Sequence, residues 1–347
     1  MEKNKLLEII ALLDKKIFDL KEGYPIGLAD GKMGHCIYYY YIGRISDNNE
    51  YKQKAELLIN DIFEKIKMIK MLDIKNGLAG IGLGVEYLID NKYATGNSNN
   101  ILEDVDNELF KQICNLDKLK EDDLSPHLQF IYYFTARLKK QSKNSENEHL
   151  FKEAIIYGMN FISDKIFQYF IDEPVAFSME NPLIQSLFVL SQCCKLHKDK
   201  AYRTLNEISL NILSKIPILH ANRLYLLYAM DNINKKIEMK GWNKHIKLLA
   251  QESDIEYIIE SELADDIFFS NGLPAVYVLL SNLGEYFASD RICKYNKHII
   301  SKIEKSPVWG KLLNDEDYLK QKSGLFSGYT GTSILLHKIY NDENRLN

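Results

Sequence analysis

The chain has 347 residues, of which 46% are hydrophobic and 27% are charged, and its formal net charge is −4. These values are typical of a globular protein with one large core or two modest domains. Because charges of both signs are interspersed and no long basic run occurs, nucleic-acid binding has no electrostatic support.

Helical periodicity begins at the N-terminus and continues almost throughout the chain. Residues 1–20 place apolar side chains at helical spacing, interrupted by Asp14, Lys15 and Lys16. Such an interruption is not typical of a signal peptide, and no later stretch has 18 consecutive apolar residues. We therefore expect no transmembrane segment and a cytoplasmic protein.

A second type of segment, more apolar and richer in small and aromatic residues, alternates with the amphipathic helices. The first, "GLADGKMGHCIYYYYIG", and the last, "GLFSGYTGTSILLHKIY", share the spacing Gly-Leu-x-x-Gly-x-x-Gly. Seven such segments begin near Gly27, Gly77, Leu124, Asn181, His220, Gly272 and Gly324. Their starts lie roughly 40 to 55 residues apart, which suits one helical hairpin per unit.

These seven units predict an all-α fold. A helix that is apolar on most sides must be buried on most sides, and the amphipathic helices can cover its outer side. Both terminal units carry the strongest glycine motifs, and neither has the polar face that caps an open solenoid. We therefore predict a single domain over residues 1–347, an α/α toroid in which seven helical hairpins form a closed ring.

With this repeat, the sequence resembles the lanthionine synthetase C-like family, the lanthipeptide cyclases, from about Ile10 to Tyr340. The resemblance implies a toroid of seven inner and seven outer helices. It also implies zinc-dependent addition of a peptide cysteine thiolate to a dehydrated residue, with an open zinc position for the thiolate.

The positions that the resemblance assigns to zinc hold other residues. The family's Cys-His-Gly of the sixth repeat aligns with Ser270, Asn271 and Gly272, and its fifth-repeat Cys aligns with His220. The His-Gly that the family uses in proton transfer aligns with Asn181 and Pro182. A hydroxyl and an amide are not competent zinc ligands. We therefore expect no cofactor, with His220 as the one candidate metal ligand among these positions.

A zinc site in this chain would require ligands at positions other than those that the resemblance assigns. His35 and Cys36 follow the first glycine frame, and His127 begins the third apolar helix, so with His220 they are candidates for a relocated site. The alternative is that they pack in the core. Adjacent residues diverge by about 100° on a helix, so only one of His35 and Cys36 can face a cavity. The candidate cavity residues are therefore Asp30, His35, His127, Asn181, His220, Ser270, Asn271 and Tyr329.

Acidic pairs suggest a carbohydrate-active alternative. Toroidal glycosidases use two facing carboxyl groups, and the pairs Asp122-Asp123 and Asp265-Asp266, with Asp30, are candidates for them. Each pair precedes an apolar helix, where a charge–dipole role is equally expected. The sequence contains no phosphate-binding loop, dinucleotide fingerprint, serine-hydrolase elbow or zincin motif.

We therefore expect a lanthionine-cyclase-like protein without the usual zinc triad, which binds or helps to modify a peptide in a bacterial maturation pathway. The expected partners are a peptide substrate or precursor peptide and the enzymes that modify it. Two alternatives remain: an active enzyme with relocated catalytic groups, and an interaction scaffold that uses the outer surface.

Overall fold

The computed structural model describes residues 3–19, 25–115, 124–166 and 181–346, and all regular elements within these ranges are helices. In chain order they are α1 Lys3–Asp19, α2 Lys32–Ile45, α3 Asn49–Lys65, α4 Leu78–Asp90, α5 Ser98–Ile113, α6 Ser125–Leu138, α7 Glu146–Lys165, α8 Pro182–Cys193, α9 Lys198–Leu213, α10 His220–Asn234, α11 Trp242–Glu252, α12 Ile255–Tyr257, α13 Leu273–Asn282, α14 Ser289–Lys305, α15 Val308–Asn314, α16 Glu316–Gln321 and α17 Tyr329–Leu346. Within these ranges, no helix is long and apolar enough to cross a membrane.

Each of the seven apolar segments forms a helix, namely α2, α4, α6, α8, α10, α13 and α17. An amphipathic helix precedes each of them, and burial separates the two classes. In α4 nearly every residue from Leu78 to Leu88 is buried, whereas in α3 the buried residues are Ala55 and Ile62. The all-α prediction is therefore confirmed for the described residues.

The chain groups into two compact units. Unit 1 contains Met1–Ser98, Leu263–Val278 and Cys293–Asn347, and unit 2 contains Asn99–Glu262 and Leu279–Ile292. The single domain expected over residues 1–347 stays a prediction.

In unit 2, successive apolar helices pack side by side, α6 on α8 and α8 on α10. A buried ion pair holds α6 to α5. The Arg137 guanidinium lies 2.6 Å from the Asp106 carboxylate, and the Tyr133 hydroxyl donates to the same carboxylate at 2.5 Å. Because a buried charge is costly unless it is paired, these contacts specify how the two helices meet.

In unit 1, the last apolar helix packs against the first. Helix α2 contacts α3, α4 and α17, so the two ends of the chain share one core. The loops before the apolar helices are also joined, by backbone hydrogen bonds between equivalent residues. Ser270 N–H donates to Phe326 O (3.0 Å), Phe326 N–H donates to Ala29 O (2.8 Å), and Ala29 N–H donates to Lys75 O (3.1 Å). The loops therefore stand in the order sixth, seventh, first and second.

The same internal hydrogen bond closes all four of these loops. In each, the first helical N–H donates to the carbonyl seven residues earlier at 2.9–3.0 Å, from Lys32 to Pro25, Leu78 to Met71, Leu273 to Asp266 and Tyr329 to Lys322. The glycine directly before each helix is thus Gly31, Gly77, Gly272 or Gly328. In the first and last repeats this glycine is the second of the Gly-Leu-x-x-Gly-x-x-Gly motif. It lies four residues after Gly27 or Gly324, where the apolar segments were taken to begin.

A further glycine in three of these repeats lies against its own loop. A Cβ on Gly331 would lie 2.0 Å from Leu325 O, and one on Gly80 would lie 2.0 Å from Ile74 O. Gly34 is in the same position, 2.3 Å from Leu28 O. Since the nearest atom is backbone in each case, a side chain would require the loop to shift.

We predict that Gly331→Ala lowers the free energy of unfolding by about 1–3 kcal/mol because the new methyl group overlaps the Leu325 carbonyl. Gly310→Ala is the control. It lies within α15 with no atom within 4 Å of an added Cβ, so it should instead stabilise by about 0.5–1 kcal/mol. Urea unfolding of both variants measures the difference. Equal effects from the two substitutions would contradict the packing role of Gly331.

Candidate functional site

The four joined loops of unit 1 bring several candidate residues together. We call residues 25–31, 71–77, 266–272 and 322–328 the loop row. The helices α2, α4, α13 and α17 begin directly after these loops, so four helix N-termini gather along it. The first N–H group of each helix is bonded to its own loop, but the helix dipoles still give these ends a partial positive charge. The loop row is therefore suited to negatively charged groups.

Asp30 links three loops of the row. Its carboxylate accepts from the Ser327 N–H at 3.0 Å and from the Ser327 hydroxyl at 3.3 Å. The Lys75 ammonium lies 3.5 Å from the same carboxylate. Both carboxylate oxygens therefore have partners within the protein, and these contacts support a role for Asp30 in holding the loops together.

His35 and Cys36 are buried in α2. The His35 Nε2 atom lies 3.0 Å from Ser323 O, and burial lowers the pKa of the ring to about 4. The Cys36 thiol donates to Ala55 O at 3.4 Å, and burial raises its pKa. A buried neutral thiol is neither a nucleophile nor a metal ligand. Both residues therefore serve the packing of α2.

Tyr329 belongs to a buried cluster around Asp14 that the sequence analysis did not identify. The Asp14 carboxylate is 2% exposed. It accepts from the hydroxyls of Tyr38 and Tyr329 at 2.9 Å and from that of Tyr51 at 3.1 Å. These tyrosines lie on α2, α17 and α3, so the cluster ties α1 to all three helices. Tyr39 also contributes, through a 3.1 Å bond to the Asp14 main-chain oxygen.

Burial is the main cause of the shifted pKa values in this cluster. It raises the pKa of Asp14 to about 6, although the tyrosine hydrogen bonds and the nearby Lys54 ammonium act in the opposite direction. Burial and the neighbouring carboxylate raise the pKa of Tyr38 and Tyr329 well above the usual value. The phenols therefore act as hydrogen-bond donors.

The sixth loop carries the residues aligned with the Cys-His pair. The Ser270 N–H bonds to the seventh loop, and Asn271 is exposed. Asp266 closes the turn through its side chain, which accepts from the Phe268 N–H at 2.8 Å, and burial raises its pKa. The other acidic pair considered for carbohydrate chemistry, residues 122 and 123, lies outside the described residues.

In unit 2, two further candidates lie near helix starts. His127 is 3% exposed and stacks face to face on Phe161, with ring centroids 3.4 Å apart. The Asn181 side-chain oxygen accepts from the N–H groups of Leu183 and Ile184 at 3.1 and 3.3 Å. Asn181 thus caps α8, which is a frequent role for asparagine at this position.

His220 forms hydrogen bonds at the start of α10. Its Nδ1 atom accepts from the Asp254 N–H at 2.9 Å, and the Arg223 guanidinium lies 3.2 Å from the same nitrogen. The Glu262 carboxylate accepts from the N–H groups of His220 and Ala221, both at 2.8 Å. The sequence analysis did not identify Glu262, which caps the helix from 42 residues away. His220 therefore lies in a network that fixes the helix end.

These residues do not fit a zinc ion. Ser270 and Asn271 offer a hydroxyl and an amide, and the imidazole of His220 has the positively charged Arg223 guanidinium 3.2 Å from its Nδ1 atom. Zinc is held in proteins by Cys, His and carboxylate groups. Within the described part of the chain, no three or more His, Cys, Asp and Glu side chains are placed to hold a metal.

Comparison with protein-family models gives no match, and comparison with curated proteins gives none. Among solved structures, nisin cyclase matches with a TM-score of 0.62, over 98% of this chain and 95% of that chain. The two sequences are 12% identical, so the likeness shows the fold alone. The chain has the fold of that cyclase, and the fold class predicted from the repeats, an all-α toroid, is confirmed.

We predict that the Asp14 cluster makes stability depend on pH. Because folding raises the pKa of Asp14 from 3.8 to about 6, its stabilising contribution is complete below pH 3.8 and is lost as the pH rises through about 6. Asp14→Asn removes this titration. The difference in unfolding free energy between wild type and variant should therefore shrink by roughly 2 kcal/mol between pH 4 and pH 7.

Urea unfolding at a series of pH values measures this difference, with Asp317→Asn, an exposed carboxylate on α16, as the control. A difference for Asp14→Asn that stays constant with pH would contradict the raised pKa of Asp14.

Proposed function

We propose that this chain is a lanthionine-cyclase-like protein that lacks the zinc triad and binds, or helps to modify, a peptide in a bacterial ribosomal-peptide maturation pathway. The likeness in fold to nisin cyclase supports a peptide as the partner. The observation that carries the proposal is the sixth loop, which keeps the backbone register of its neighbours but holds Ser270 and Asn271 at the ligand positions.

The electrostatics of the loop row favour an acidic peptide. Four helices begin along the row, and an anion there interacts favourably with their dipoles. Lys322, which begins the last loop, adds to this field. The Lys32 ammonium at the start of α2 is instead paired with the Asp61 carboxylate at 2.5 Å. An extended acidic segment could therefore lie along the loops without any metal.

The alternative of a carbohydrate reaction has less support. The oxygens of Asp30 bond to Ser327 and Lys75, and the Asp266 side chain closes its own turn. These contacts favour structural roles for both carboxylates. Partner modification enzymes and the cytoplasmic location stay predictions.

We predict that the protein, purified without chelator or metal-affinity resin, contains far less than one zinc ion per chain. Plasma mass spectrometry of the wild type, His220→Ala and His149→Ala measures this, and the exposed His149 provides the control. Near-stoichiometric zinc that is lost only in His220→Ala would overturn the metal-free proposal. Thiol addition to dehydrated peptides should then be assayed.

We predict salt-sensitive binding of an acidic peptide. The probe is a fluorescein-labelled synthetic peptide of Glu, Asp, Leu and Phe, and the control peptide has Lys in place of the acidic residues. Fluorescence anisotropy should show tighter binding of the acidic probe, weakening from about 50 to about 500 mM salt because the charges are screened. Equal binding of both peptides, or an affinity independent of salt, would contradict the proposal.

A further inference from the structure

A short basic segment leads from α3 into the second loop of the row. Residues 65–75, "KIKMIKMLDIK", contain four lysines and one aspartate, a formal charge of +3, within a chain whose net charge is −4. We call these residues the Lys–Met segment. Residues 195–203 and 235–247 are comparably basic, so charge alone does not distinguish the Lys–Met segment.

The methionines of this segment differ from the others described. Met68 and Met71 are 70% and 59% exposed, whereas Met33, Met159, Met230 and Met239 are at most 2% exposed. Methionine is unbranched and polarisable, so an exposed pair forms an adaptable apolar surface that can pack against partners of varied shape. Neither Met68 nor Met71 is covered by other residues of the described chain.

The four lysines of this segment differ in their ion pairs. Lys65 pairs with Asp61 at 2.5 Å, and Lys75 lies 3.5 Å from Asp30. Lys67 and Lys70 are exposed, and neither forms an ion pair within the described residues. Their ammonium groups therefore remain available to an anionic partner alongside the exposed methionine side chains.

The backbone of the segment is held in place although these side chains are exposed. Ile69 N–H donates to Ile66 O at 3.2 Å, Met71 O accepts from Leu78 N–H at 3.0 Å, and Lys75 O accepts from Ala29 N–H at 3.1 Å. An ordered backbone lowers the entropy lost when a partner binds. The segment therefore combines a preformed backbone with exposed side chains.

We propose that the Lys–Met segment is the docking surface for an acidic peptide segment that also carries large apolar side chains. This inference rests on the proposed function and names the place where the peptide is held. Lys67 and Lys70 would pair with its carboxylates, and Met68 and Met71 would cover its apolar side chains. The rest of the peptide would continue along the loop row, into which the segment leads.

The geometry favours a peptide over a lipid surface. Membrane-surface helices carry a long apolar face with Trp, Phe or Leu opposite a basic face. The Lys–Met segment instead consists of the last residue of α3, a single 3₁₀ turn at Ile66–Met68 and a loop.

The test measures binding of the same acidic probe peptide, and of a second peptide with Ser in place of Leu and Phe, to paired variants. The double variant Lys67→Glu/Lys70→Glu should bind the acidic probe about tenfold more weakly. Met68→Ser/Met71→Ser should weaken binding of the acidic probe but not of its serine counterpart. Since all four side chains are exposed, circular dichroism should show unchanged helix content.

Matched controls lie on other helices. Lys244→Glu/Lys247→Glu makes the same charge change on exposed lysines of α11 with the same spacing, and Leu210→Ser removes an apolar side chain that is 78% exposed on α9. Neither control should alter probe affinity. An equal loss in the control and segment variants would show a general charge or surface effect and would overturn the inference.

The remaining outcomes separate the inference from the proposed function. Salt-sensitive probe binding that is unchanged in the segment variants would overturn the docking surface and leave the proposed function standing. No probe binding by the wild type would contradict both. Sedimentation with phosphatidylserine vesicles that is lost in the segment variants, without probe binding, would replace the peptide with a membrane surface and overturn the inference.

Discussion

The close approach of loop backbones in unit 1 is the constraint on which the rest of this unit depends. Gly27 shows how tight it is, because a Cβ there would lie 2.2 Å from the Cα of Asn76 in the next loop. Only glycine allows main-chain groups to meet at this distance. The resulting hydrogen bonds between loops bring four helix starts together and place α17 against α2.

Buried carboxylates provide the second set of constraints. Asp14 in unit 1 and Asp106 in unit 2 each lie on an amphipathic helix, and each bonds to tyrosine on an apolar helix. A buried carboxylate without partners would be costly, so each cluster selects one way of packing its helices. These buried carboxylates thus hold neighbouring helices together.

The functional residues are harder to predict from the sequence than the fold. The motif positions of Asp30, His35, Asn181 and His220 were readable in the sequence, but their partners were not. Asp30 bonds to a serine 297 residues away, and the helix start at His220 is capped by Glu262. Asp14 did leave a signal, because it follows Ile10 at helical spacing within the buried face of α1.

The sequence by itself determined the all-α class, the order of amphipathic and apolar helices, and the start of each apolar segment to within a few residues. These features are local, since hydrophobic periodicity and glycine spacing act over a few turns of chain. Only the tertiary structure decided which glycines are equivalent, which loops meet, and which polar side chains are already bonded. Those properties depend on contacts between residues far apart in the chain, and local patterns do not encode the distances between them.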